Sequence, residues 1–157
     1  GFTKRKYRPA PDPANSLLSY AYTLLLKDVK ARLHIVGLDP AFGFFHALEN
    51  NRPALALDVM EEFRPLVCDV VVLTLVMDGL ITLNDFERTD EEGLPVKLTK
   101  TAREILIEAY EQRLSEKVFH PIAQGETELR NAIEYQARQV RWLIEGKGQD
   151  YLPVPNQ

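Results

Sequence analysis

Cysteine is almost missing from this chain, since Cys68 is the only one in 157 residues. A single thiol can form neither an intrachain disulfide nor a cysteine-rich zinc site, and such sparing use of cysteine suits a reducing compartment, so a cytoplasmic location is expected. Long apolar runs are missing too. The longest, residues 66–77, is interrupted by Cys68, Asp69 and Thr74, short of the roughly 18 uninterrupted residues that a membrane span requires. It reads as a buried helix, and no membrane partner is expected. The opening Gly1-Phe2-Thr3-Lys4-Arg5 has no initiator Met and no signal-peptide apolar stretch, which reads as an internal cut in a longer protein. His34, His46 and His120 include no His-x-x-x-His pair, and neither a Gly-x-Ser-x-Gly elbow nor a phosphate loop occurs, which removes the common zinc-protease, serine-hydrolase and nucleotide-loop signatures.

Neither sign of charge dominates. With 19 cationic and 23 acidic residues the formal net charge is -4, which argues against a uniformly basic nucleic-acid surface but not against local clusters. Lys4, Arg5, Lys6 and Arg8 form one such cluster, interleaved with Phe2 and Tyr7. It suits either phosphate contact or a solvated terminus.

What is present is helical periodicity in a chain sized for one core. Asp12-Pro13 supplies an N-cap followed by proline at the first helical position. Leu17, Leu18, Tyr20, Ala21, Leu24, Leu25, Val29 and Leu33 then recur at three- and four-residue steps over residues 15–36, and Gly37 closes the helix. Leu38-Asp39-Pro40 opens a short helix or turn. A long apolar helix follows over residues 55–77, with Pro65 predicting a kink or two abutting helices near residues 62–64. Residues 86–98 read as a small hairpin around Asp90-Glu91-Glu92-Gly93. Thr99 or Thr101 caps the next helix, which the pattern carries to about Phe119, with Glu104 completing a capping box for Thr101. The last helix, over residues 126–145, turns Leu129, Ala132, Ile133, Gln136, Val140, Leu143 and Ile144 inward. The expected fold is all-α with one small β-hairpin near residues 86–98. Its organisation is a basic extended leader (1–12), a helical domain (13–146) and an extended tail (147–157).

The chemistry concentrates in Leu57-Asp58-Val59-Met60-Glu61-Glu62-Phe63, where three carboxylates interrupt an apolar helix. Asp58 lies three residues before Glu61 and four before Glu62, so these acids share a helix face and repel unless a cation intervenes. Mg2+ or Mn2+ favours such oxygen donors, and His46, 12 residues before Asp58, can join them across a loop. The same residues also suit a helix N-terminus that attracts acids and a packed histidine. Asp69 among valines calls for an Arg or Lys partner. On the last helix Arg130, Arg138 and Arg141, with Trp142, suit either a phosphate-facing stripe or a solvated face.

Asp12-Pro13-Ala14-Asn15-Ser16-Leu17-Leu18-Ser19, Gly37-Leu38-Asp39-Pro40, Gly43-Phe44-Phe45-His46 and Leu55-Ala56-Leu57-Asp58-Val59-Met60-Glu61-Glu62-Phe63-Arg64-Pro65 resemble, in order and spacing, the catalytic half of the CRISPR-associated protein one family. Leu98-Thr99, Gln136-Ala137-Arg138 and the Tyr-x-Pro tail at Tyr151 extend the resemblance over nearly the whole chain.

The resemblance implies a metal-dependent DNA integrase or endonuclease that inserts prespacer DNA into a CRISPR array by attack of a 3′-hydroxyl on a phosphodiester. It implies Mg2+ or Mn2+ held by His46 and Glu61, with Asp58 the neighbouring acid and all three at the catalytic centre. The family's further Glu ligand falls upstream of Gly1, so the isolated chain is expected to be inactive. Lys4, Arg5, Lys6, Arg8, Arg138 and Arg141 become the candidate DNA contacts. The implied partners are double-stranded and prespacer DNA, CRISPR-associated protein two, and a second copy in a full-length homodimer. A degenerate helical domain used only to dock DNA or protein is the alternative. A regulatory or metabolite-binding helical module is the more distant one.

Overall fold

The computed structural model describes residues 10, 12–43, 53–87, 96–147 and 150–155. Helix dominates, as the periodicity predicts. The described elements are α1 (Pro13–Ile35), α2 (Ala54–Phe63), a π-helical segment (Arg64–Asp69), α3 (Val70–Met77), a 3-10 turn (Leu83–Asp85), β1 (Phe86–Glu87), β2 (Lys97–Leu98), α4 (Lys100–Leu114), β3 (Lys117–His120), β4 (Gly125–Glu128) and α5 (Leu129–Ile144). Among the described residues no helix is long and apolar enough to cross a membrane.

The chain forms two compact units. The first combines Gly1–Leu24 with Val67–Arg113. Asp12 caps α1 by accepting from the Asn15 amide at 2.9 Å, the N-terminal arrangement that the Asp-Pro pair predicts. Leu17 and Ala21 begin a buried stripe at four-residue steps. The segment expected to be buried all round buries only Val67, Cys68, Val71, Val72 and Leu75, while Leu73, Val76 and Met77 are exposed. Asp69 accepts a 2.7 Å hydrogen bond from the Tyr22 hydroxyl, so a neutral donor stands where a cation was expected. Strands β1 and β2 pair antiparallel with Phe86 opposite Leu98. The turn expected at Asp90-Glu91-Glu92-Gly93 lies outside the described residues. Thr99 caps α4, its Oγ1 accepting from the Ala102 amide at 3.2 Å. Thr101 lies inside the helix instead, and Glu104 pairs with Lys100 at 3.7 Å.

The second unit combines Leu25–Leu66 with Leu114–Gln157. Leu25, Val29 and Leu33 continue the α1 stripe. Gly37, at φ +78°, lets the Leu38 amide return to the Leu33 carbonyl at 2.9 Å and its own amide reach His34 at 3.0 Å, the two bonds of a Schellman stop. Pro65 lies in the π-helical segment Arg64–Asp69. Proline has no N–H to complete an ordinary helical turn, and the widened turn separates α2 from α3 where a kink or two abutting helices were expected.

Two elements depart from the sequence reading. The last helix, expected from residue 126, begins at Leu129 behind strand β4. The helix expected to reach Phe119 stops at Leu114, and Lys117–His120 instead forms β3, paired antiparallel with β4 from Lys117 opposite Glu128 to His120 opposite Gly125. Val118 and His120 point inward while Lys117 and Phe119 are exposed, the two-residue alternation of a half-buried strand. In α5, Leu129, Ala132, Ile133, Gln136 and Val140 are buried as predicted, but Leu143 and Ile144 are exposed.

His120 is fully buried. Its Nδ1 accepts from the Ile122 amide at 3.2 Å, and its ring tilts against Tyr135 at a centroid separation of 4.8 Å. Nδ1 is therefore the unprotonated nitrogen of the neutral ring, and Nε2 carries the proton, buried without a well-formed hydrogen bond. Burial lowers the pKa below the ordinary 6.5, outweighing the opposing effects of the Gln136 side chain and the Glu62 charge. Below pH 6.5 the unfolded chain binds this proton more readily than the folded one. The stabilising contribution is therefore complete above that pH and is lost as pH falls through the folded-state value. Thermal melts across this window should show a decline that is reduced in His120→Gln; an unchanged decline would assign it to other groups.

Candidate active site

The second unit builds the site around α2. No side chain caps this helix; the Pro40 carbonyl instead accepts from the Leu55 and Ala56 amides at 2.9 and 3.2 Å. Asp39 shapes the turn that presents Pro40, its Oδ1 accepting from the Ala41 amide at 2.9 Å. That turn is what the described residues show where a short helix or turn was expected.

Gly43 then meets α2 so closely that only glycine fits. A Cβ there would stand 2.6 Å from the Ala54 carbonyl carbon, 2.7 Å from the Ala54 Cβ and 2.8 Å from Asp58 Oδ2. Asp58 is half-buried and Glu61 exposed. Glu61 Oε1 lies 2.7 Å from Arg64 Nη1, so this guanidinium partly offsets the acidic face.

Glu62, the third acid, has a different role. Its Oε1 accepts from Gln136 Nε2 at 2.7 Å and from the Val154 amide at 2.6 Å. Its Oε2 accepts from the Tyr151 hydroxyl at 2.6 Å. Gln136 and Gln139 are buried. Gln139 fixes both backbone groups of Leu152, accepting from its amide at 2.8 Å and donating to its carbonyl at 2.9 Å, and also donates to Gln136 Oε1. Burial, reinforced by the Glu62 charge and hydrogen bond, raises the Tyr151 pKa far above the usual tyrosine range, so Tyr151 stays a donor.

The candidate arginines are engaged within the protein. Arg141 donates to the Val36 carbonyl at 3.0 Å and to Glu145 at 2.7 Å, which caps the end of α1. Arg138 pairs with Glu134 at 2.7 Å, and Arg32 meets the same carboxylate at 2.9 Å. The Arg138 and Arg141 side chains remain about half-exposed, at 49%. The Arg138 hydrogen bond is the main cause that lowers the Glu134 pKa. His46, Lys4, Arg5, Lys6 and Arg8 lie outside the described residues, among which no group of three or more metal-ligating side chains occurs.

The family model for CRISPR associated protein Cas1 matches residues 1–112. The chain belongs to this family. It is 46% identical to CRISPR-associated endonuclease Cas1 3 of Thermus thermophilus over 137 residues, which covers 87% of this chain and 40% of that protein. A solved structure titled casposase bound to integration product superposes with a TM-score of 0.86 at 26% identity, covering 98% of this chain and 44% of that one. A partial Cas6-RT-Cas1–Cas2 complex gives a TM-score of 0.81 at 26% identity over 100% of this chain and 46% of that one. The chain thus spans less than half the length of each of these Cas1-like proteins.

Two features of the candidate site escape a reading of the sequence alone. The acidic run was read as one face, whereas Glu62 is an internal hydrogen-bond acceptor. The signal for this was Gln136, a polar residue on the apolar face of α5. Gly43 was read only as part of a motif, although its role is steric. Gly43→Ala should lower stability by about 1–3 kcal/mol, the usual cost of overpacking, measured by chemical denaturation. An unchanged midpoint would contradict the close approach.

Proposed function

We propose that this Cas1 chain contributes to the catalytic surface of a DNA integrase or endonuclease that uses Mg2+ or Mn2+ and inserts prespacer DNA into a CRISPR array. The observation that carries this reading is the contact of Gly43 with Asp58. His46 follows Gly43 by three residues, so covalent geometry keeps its Cα within about 11 Å of the glycine. Two hard carboxylate donors and an imidazole fit a divalent cation of this class. His46 and Glu61 would hold it, with Asp58 beside them. When bound, such an ion polarises a phosphoryl oxygen and stabilises the leaving oxygen.

In the proposed reaction a DNA 3′-hydroxyl attacks phosphorus, forming one P–O bond as the P–O bond to the leaving strand breaks. His46 serves as ligand or shuttles the proton released by the hydroxyl, and Asp58 adds negative charge to the same face. Arg64 holds Glu61 in one rotamer. Lys4, Arg5, Lys6, Arg8 and the half-exposed Arg138 and Arg141 would neutralise backbone phosphate without reading sequence. The similarity to a casposase bound to integration product and to a Cas1–Cas2 complex supports DNA and Cas2 as partners, and the family resemblance supports a homodimer of the full-length protein.

The test uses a protein of full family length that carries this chain. Glu61→Gln should reduce Mn2+-dependent strand transfer by about 100-fold or more, as expected when charge stabilisation in the transition state is lost, with DNA binding retained. An active Glu61→Gln protein would overturn the site assignment and favour a domain that only docks DNA or protein.

A further inference from the structure

α2 is held at both ends by polar contacts of different origin. At its start the Pro40 carbonyl takes two amides and Gly43 abuts Ala54 and Asp58. At its end Glu62 takes three donors, one from α5 and two from the tail. We infer that Glu62, Gln136 and Tyr151 are positioning residues, which fix the rotation of α2 about its own axis and so aim Asp58 and Glu61 at the reacting groups. This inference rests on the function proposed above.

The geometry of the helix carries the argument. Successive residues are about 100° apart around an α-helix. Asp58 therefore projects roughly 40° from Glu62 and 60° from Glu61, between the two. Apolar packing holds the buried face of α2 through many contacts that carry little directional preference. Hydrogen bonds from three donors to one carboxylate resist rotation about the helix axis, because their energy falls steeply with distance and angle. The donors come from separate segments. Gln136 stands on α5, where Gln139 anchors it from the next turn, while Tyr151 and Val154 lie on the tail, which Gln139 fixes through Leu152. The tail therefore acts as a strap across the end of α2, and the Val154 side chain beside it is buried.

A buried network of this kind also supports the fold, so the test must separate aim from stability. In a full-length protein carrying this chain, Mn2+ itself is the probe, titrated while the free-ion signal is followed by electron paramagnetic resonance. Tyr151→Phe removes one donor and keeps the ring. Ile133→Val trims a buried apolar side chain of α5 that offers Glu62 no hydrogen bond, and serves as a control for lost stability. Tyr151→Phe should weaken Mn2+ binding by about tenfold, in the range seen when a group that orients a ligand is lost. Strand transfer should fall in parallel and recover partly at high Mn2+. Ile133→Val should leave Mn2+ affinity unchanged whatever its effect on melting temperature. If Glu61→Gln abolishes Mn2+ binding while Tyr151→Phe matches Ile133→Val, the positioning inference alone is overturned. If Glu61→Gln itself leaves Mn2+ binding intact, the active-site reading fails and the inference falls with it.

Discussion

The carboxylate of Glu62 is the interaction on which much of the second unit depends. It accepts from a side-chain amide, a phenol and a backbone amide, at 2.7, 2.6 and 2.6 Å. Hydrogen bonds to a charged group are worth about 1.5–3 kcal/mol each, and a buried donor left without its acceptor costs a comparable amount. Removing Glu62 would leave the Gln136 amide, the Tyr151 hydroxyl and the Val154 amide to find new partners together. The effect extends to ionisation, since the Glu62 charge reinforces the effect of burial in keeping Tyr151 protonated and opposes it at His120.

Proline places the rest of the acidic helix in context. Two residues beyond Glu62 the backbone enters the π-helical segment Arg64–Asp69, which contains Pro65. A widened turn changes the angular spacing of the side chains that follow it, so the pattern of α2 does not simply continue into α3. Arg64 uses this position to reach back to Glu61. The candidate acids Asp58 and Glu61 thus occupy the last two turns before the helix changes geometry, and π-helical segments are often found beside functional sites.

Helix ends and helix faces were the most legible features. The Asp12-Pro13 start, the Gly37 stop and the stripe Leu17, Ala21, Leu25, Val29 and Leu33 follow from local chemistry, and the structure shows all of them. Strand β3 was not legible, because Leu114 and Val118 keep helical spacing and only pairing with β4 reveals the alternation of Lys117–His120. The exposure of Leu143 and Ile144 at the end of α5 is likewise a property of the surroundings. Within the candidate site the sequence singled out Asp58, Glu61 and Glu62, but the separate role of Glu62 as an internal acceptor required Gln136 and Tyr151, which are 74 and 89 residues from Glu62. A single sequence read without tertiary contacts does not reveal such pairings. His46 and the cationic cluster at residues 4–8 lie outside the described residues, and their assignment still rests on the resemblance.

The central claim is that the face of α2 bearing Asp58 and Glu61 binds a divalent ion together with His46. The most direct measurement is anomalous diffraction from Mn2+-soaked crystals of a full-length protein carrying this chain. The account predicts an anomalous peak within coordination distance of a Glu61 carboxylate oxygen and a His46 ring nitrogen, with Asp58 adjacent and Glu62 still hydrogen-bonded to Tyr151. A peak located elsewhere, or a His46 ring turned away from α2 in a crystal that binds Mn2+, would contradict it.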